Sequence, residues 1–155
     1  MVKISKTSRR KPMKKETEKL LSECTSGTKM GEHALSLVLP KVKNSELKST
    51  LEDAIKNHAI IGDEARKMLF SAHKKDKSPS PLVLMMSDAK MNAMMLINGS
   101  SATVASLITD GCDMGTKTLS KAINNLPTAD LQARHLANKL IATEDELRKN
   151  LRKFL

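Results

Sequence analysis

Tryptophan and tyrosine are absent from the 155 residues, and Phe70 and Phe154 are the only aromatic residues besides four histidines. A sheet wants β-branched and aromatic side chains on its half-buried faces. A core without them points to helices packed through Leu, Ile, Ala and ten Met. The same lack argues against a stacking platform for single-stranded bases. Cysteine is as scarce: Cys24 and Cys112 are too few for a disulfide framework or a structural zinc site. The first thirty residues hold no apolar run like a signal peptide. No run of about 18 uninterrupted apolar residues occurs either. A cytoplasmic, reducing location and no membrane association are the expectations. The length suits one domain with a real core.

Acidic residues are missing from the start of the chain. Lys3, Lys6, Arg9, Arg10, Lys11, Lys14 and Lys15 put +7 into the first fifteen residues, against +3 in the remaining 140. A net charge of +10 suggests a nucleic-acid partner. Its location makes that a property of the tail, and a short basic end is more often simply a solvated terminus.

What the chain does have is one phrase stated twice. Thr25-Ser-Gly-Thr-Lys-Met-Gly-Glu-His-Ala-Leu-Ser36 returns as Thr109-Asp-Gly-Cys-Asp-Met-Gly-Thr-Lys-Thr-Leu-Ser120, with six identities in twelve at an offset of 84. Each copy lies in helical sequence and leads into a second helix, which predicts two repeated helical hairpins.

The pattern predicts a basic tail over 1–12 and a single domain over 13–155. The first hairpin is 13–73, with helices over 13–39 and 45–73. The polar Lys74-Lys-Asp-Lys-Ser-Pro-Ser-Pro81 is a linker. A Met-rich helix over 82–97 follows, and Asn98-Gly-Ser-Ser101 supplies a glycine stop and a serine N-cap. The second hairpin is 101–155, with helices over 101–125 and 128–154. Thr128 is expected as the last N-cap, and Glu46-Leu47 is expected to match Asp130-Leu131 at the same offset. The apolar stripe of the last helix includes Leu131, Ala137, Leu140, Glu144, Leu147 and Leu151. The predicted fold is all-α: an antiparallel ferritin-like four-helix bundle of two hairpins with an extra Met-rich crossover helix.

Gly27 and Gly31 are four apart, as are Gly111 and Gly115. A helix-interior glycine costs about 1 kcal/mol relative to alanine. The spacing therefore predicts flat patches where the two equivalent helices cross. A ligand at the bundle centre is the functional alternative.

A di-iron bundle needs Glu-x-x-His pairs on inward faces, and this chain has none. Glu52 precedes His58 by six, Asp130 precedes His135 by five, and Glu32 abuts His33. Residues that could bind a metal or change redox state are Cys24, His58, Cys112 and Glu144, of which Cys24, His58 and Glu144 lie on the apolar faces of their helices. His33, His73 and His135 are expected outside the core. No catalytic residue set and no cofactor site is visible.

The Thr-x-Gly-x-x-Met-Gly phrase leads to Leu-Pro-Lys-Val-Lys-Asn-Ser-Glu-Leu-Lys. Leu107-Ile-Thr-Asp-Gly-Cys-Asp-Met-Gly and the ending Glu146-Leu-Arg-Lys-Asn-Leu-Arg-Lys-Phe-Leu155 complete the pattern. Over about residues 20–155 it resembles small ferritin-like proteins of unknown function from Gram-positive anaerobic bacteria, similar to DUF2383-type domains. The resemblance implies a fold and no iron ligands. Three functions are expected in order: a non-enzymatic bundle acting through protein contacts or homo-oligomerisation; a DNA-associated bundle using its basic tail, like mini-ferritins; and an atypical metal or redox protein.

Overall fold

The structure is a computed structural model that describes residues 11–97 and 99–155, apart from the side chains of Pro81, Leu82, Met86, Leu96 and Ile97. Lys3, Lys6, Arg9 and Arg10, named above for nucleic-acid contact, lie outside the described residues. The described chain is all-α: α1 (Lys15–Val38), α2 (Ser45–Ser71), α3 (Pro81–Ile97), α4 (Ser101–Asn125) and α5 (Leu131–Leu151). Single 3-10 turns, Leu39–Lys41 and Arg152–Phe154, follow α1 and α5.

Local chemistry sets most of these limits. Asn44 caps α2, its side chain accepting from the Leu47 N–H at 2.9 Å. Ser100 caps α4 through the Thr103 N–H at 3.2 Å. At the end of α2, His73 takes a left-handed φ of 57° while the Lys74 N–H returns to the Leu69 carbonyl at 2.9 Å. That reversal stops the helix at Ser71, two residues before the expected end.

The start of α5 differs more. Its N-cap is Asp130 and not Thr128, because the two backbone N–H groups there are claimed by α1. Thr128 N–H donates to Glu16 Oε2 at 2.7 Å and Asp130 N–H to the buried Thr17 Oγ1 at 2.8 Å. Lys14 adds an ion pair to Asp130 at 2.8 Å. Leu131 consequently lies outside the apolar stripe expected for it and is 82% exposed.

α1 packs along α2, and α4 along α5; α2 also meets α5, and α1 meets α4 and α5. The α3 helix rests on α1 and α4. The interior is two apolar clusters. One joins Leu20, Leu21 and Cys24 of α1 to Ile61, Ala65 and Leu69 of α2, Leu119 and Ile123 of α4, and Ala133 to Leu140 of α5. The other joins Leu35 and Val38 to Leu47, Leu51, Val104, Ile108, Cys112, Leu147, Leu151 and Met91 of α3. These memberships make α1 and α5 run one way and α2 and α4 the other.

Burial refines the expected repeat. Buried positions of α2 (Leu47, Leu51, Ala54, His58, Ile61, Ala65) coincide with those of α5 (Ala133, Ala137, Leu140, Glu144, Leu147, Leu151) at an offset of 86. The expected register of 84 pairs Leu47, fully buried, with Leu131, 82% exposed, and is corrected by two residues.

Candidate functional site

Between the two apolar clusters lies a polar pair. His58 of α2 is 1% exposed and Glu144 of α5 is 7% exposed. The imidazole Nε2 donates to Glu144 Oε1 at 2.9 Å, and Nδ1 faces the Ala54 carbonyl at 2.7 Å. With an acceptor at each nitrogen, a doubly protonated ring satisfies both. Burial opposes that charge most strongly. The hydrogen bond and charge of Glu144, the Ala54 carbonyl and the charge of Glu32 outweigh it, and the His58 pKa rises above its ordinary 6.5. His58 and Glu144 are themselves 86 residues apart, the offset at which the buried positions of α2 and α5 coincide.

Glycine makes the room. A Cβ on Gly31 would stand 2.5 Å from His58 Cδ2 and 2.6 Å from Nε2. Across the bundle, a Cβ on Gly115 would meet Glu144 Oε1 at 3.4 Å. Gly27 faces Leu140 Cδ2 at 3.6 Å, an ordinary contact, and Gly111 has nothing within 4 Å. These glycines are expected at a crossing of α1 with α4, and those two helices do meet. Each close neighbour is a side chain of α2 or α5. Gly62, which the periodicity did not single out, is a further close approach: its Cβ would lie 2.6 Å from Thr28 Oγ1.

The cysteines do not meet. Cys24 sits in one apolar cluster and Cys112 in the other, and both thiols are free. Burial, helped by Glu23, pushes Cys24 up to about 12. Burial, then Glu144 and Asp113, raises Cys112 further, with Arg148 opposing. Neither is a thiolate at neutral pH, the form that attacks or ligates. Among the described residues no three His, Cys, Asp or Glu side chains gather to hold a metal ion. Of the four metal or redox candidates the structure unites His58 and Glu144 with the Cys112 thiol beside them, and leaves Cys24 apart.

His33 lies at the surface, its Nε2 2.7 Å from Asp88 Oδ1 of α3. His73 and His135 are exposed. A shallow groove of about 430 Å³ between α2 and α5 is lined by Ser49, Thr50, Asn57, Thr143 and their neighbours, but not by His58 or Glu144. The pair is nearly enclosed, Glu144 being its more open member.

No family model matches the chain, and no curated protein does. Among solved structures, the crystal structure of a DUF305 fragment from Deinococcus radiodurans is similar, with a TM-score of 0.72 and 11% identity over 92% of this chain and 97% of that one. At that identity the likeness shows an all-helical fold alone. No helix among the described residues is long and apolar enough to cross a membrane.

Proposed function

We propose that this protein is a non-enzymatic, ferritin-like bundle of two fused hairpins that acts by association with protein partners, a second copy of itself included. The topology that supports the ferritin-like reading is an α1/α2 pair and an α4/α5 pair joined by α3. The six coincident buried positions at an offset of 86 support duplication.

The observation that carries the functional reading is the closure of the His58–Glu144 pair. Both ring nitrogens of His58 are engaged, by Glu144 Oε1 and the Ala54 carbonyl, and neither residue lines the groove between α2 and α5. Apolar surface lies instead on the outside. Val83, Met85 and Met94 of the crossover helix are 47%, 62% and 37% exposed. Such surface on a small protein suits an interaction face. Two free, buried thiols support a reducing, cytoplasmic setting.

Light scattering on a size-exclusion column tests the reading, beside affinity capture from the native host. The expected result is a mass above that of one chain, or a stoichiometric partner, in either case lost in the Val83→Ser/Met85→Ser protein. A monomer without a stoichiometric partner would refute association through α3.

A further inference from the structure

The basic character of the chain extends well past its tail. Residues 1–19 and 66–77 together hold 13 of the 27 Lys and Arg and only 3 of the 17 acids. The other 124 residues hold 14 of each and are neutral. The whole net charge of +10 therefore resides in two segments far apart in sequence.

The fold lays the described parts of these segments side by side. The linker after α2 passes over α1: Lys74 Nζ pairs with Glu18 at 3.1 Å and Lys77 Nζ with Glu23 at 3.1 Å. The Lys77 N–H donates to the buried Thr25 Oγ1 at 3.2 Å. The few acids of the region are already used: Glu18 by Lys74, Glu16 by the Thr128 N–H, and Asp76 by Lys29 at 2.5 Å. Lys11, Lys15, Lys19, Lys67 and Lys75 are all exposed and have no ion-pair partner among the described residues.

We infer that this face, built from the start of α1, the end of α2 and the linker strap, binds the phosphodiester backbone of nucleic acid. The inference stands apart from the association reading, which concerns α3. Phosphate binding needs clustered, unpaired cations on one side of an otherwise neutral body. A membrane-surface site would need an apolar face as well, and Phe70 is the one large hydrophobic residue exposed within the described parts of these segments.

Fluorescence anisotropy with a labelled duplex DNA of mixed sequence, at stepped salt concentrations, tests the surface. Four proteins are compared: the full chain, a chain lacking residues 1–10, that truncation carrying Lys15→Gln/Lys19→Gln/Lys75→Gln, and the truncation carrying Lys43→Gln/Lys48→Gln/Lys90→Gln. All substitutions are at exposed positions, and thermal melting by circular dichroism verifies the fold of each.

The truncated chain is expected to bind more weakly than the full chain yet keep a salt-dependent affinity. The first triple variant should lose a further tenfold or more, and its slope of log affinity against log salt should fall by about 2 to 3. The control triple should lose much less. Abolition of binding by truncation alone would overturn the inference by confining phosphate contact to the tail. Equal losses in the two triples would overturn it by showing that only net charge matters. So would tighter binding to phosphatidylserine vesicles than to the duplex.

Discussion

Gly31 shows how one missing methyl group organises the centre of this bundle. The His58 ring occupies the space a Cβ would need, and the ring is held at both nitrogens. An alanine there must push the ring off one of its acceptors. Gly31→Ala is expected to destabilise by about 1–3 kcal/mol, the range for overpacking a filled interior. Gly111 is a glycine of the same repeat, on α4, with open space around it. There alanine should stabilise by up to about 1 kcal/mol through helix propensity alone. Urea unfolding of the two variants checks both signs, and equal shifts would refute the distinction. The partner of His58 gives a second prediction. Because its folded pKa is raised, the pair's contribution is complete below pH 6.5 and is lost as pH climbs through the folded value. Stability of the native chain should therefore carry a downward slope with pH there. Glu144→Gln removes the counter-charge, should cost about 3 kcal/mol or more, and should flatten that slope. Sequence alone places His58 and Glu144 on apolar stripes, since a polar residue interrupting such a stripe is conspicuous. It does not disclose their distance, which depends on how α2 faces α5. The Thr28–Gly62 approach was illegible for another reason. Threonine reads as polar, yet Thr28 Oγ1 satisfies itself on the Thr25 carbonyl at 3.1 Å and so tolerates full burial.

At the level of elements, boundaries set by local chemistry were readable and those set by distant partners were not. Asn44 and Ser100 cap α2 and α4 with their own side chains, so the starts at 45 and 101 follow from nearby residues. The start of α5 is held by Glu16, Thr17 and Lys14, more than a hundred residues earlier, and the expected cap at Thr128 moved to Asp130. Leu131 turns outward with the shift, and the buried positions of α5 follow those of α2 at 86 and not the expected 84. The linker strap is fixed in a similar way. Thr25 accepts from the Lys77 N–H and lies 3.1 Å from the Lys77 carbonyl, anchoring the segment through one buried hydroxyl. Thr25→Val keeps the volume but removes both contacts. Trypsin should then cut after Lys74, Lys75 or Lys77 several-fold faster, while the melting temperature changes little, because the strap contributes few buried apolar groups. Unaltered cleavage would show that the ion pairs of the strap with Glu18, Glu23 and Lys29 hold it without that hydroxyl.

For the whole molecule the decisive property is where charge is left uncompensated. Neutrality over 124 residues lets the four long helices pack with scattered surface ion pairs, each of small value. The two basic segments repel one another across the same face, and only Glu16, Glu18 and Asp76 lie within them as counter-charge. That repulsion favours any state that separates the segments, unfolding included. Removing residues 1–10 deletes four cations and no acid. The shortened chain should therefore melt at a higher temperature than the full chain at low ionic strength, by about 0.5 kcal/mol of stability, the size of a typical surface effect. The gap should close as salt is added, because at about 0.15 M the screening length is only about 8 Å. Calorimetry on the two proteins over a salt series measures this directly. A gap that persists at high salt would mean that residues 1–10 act through something other than charge. A shortened chain less stable at every salt concentration would mean that they pack against the bundle, and the self-repulsion account of the basic face would fail.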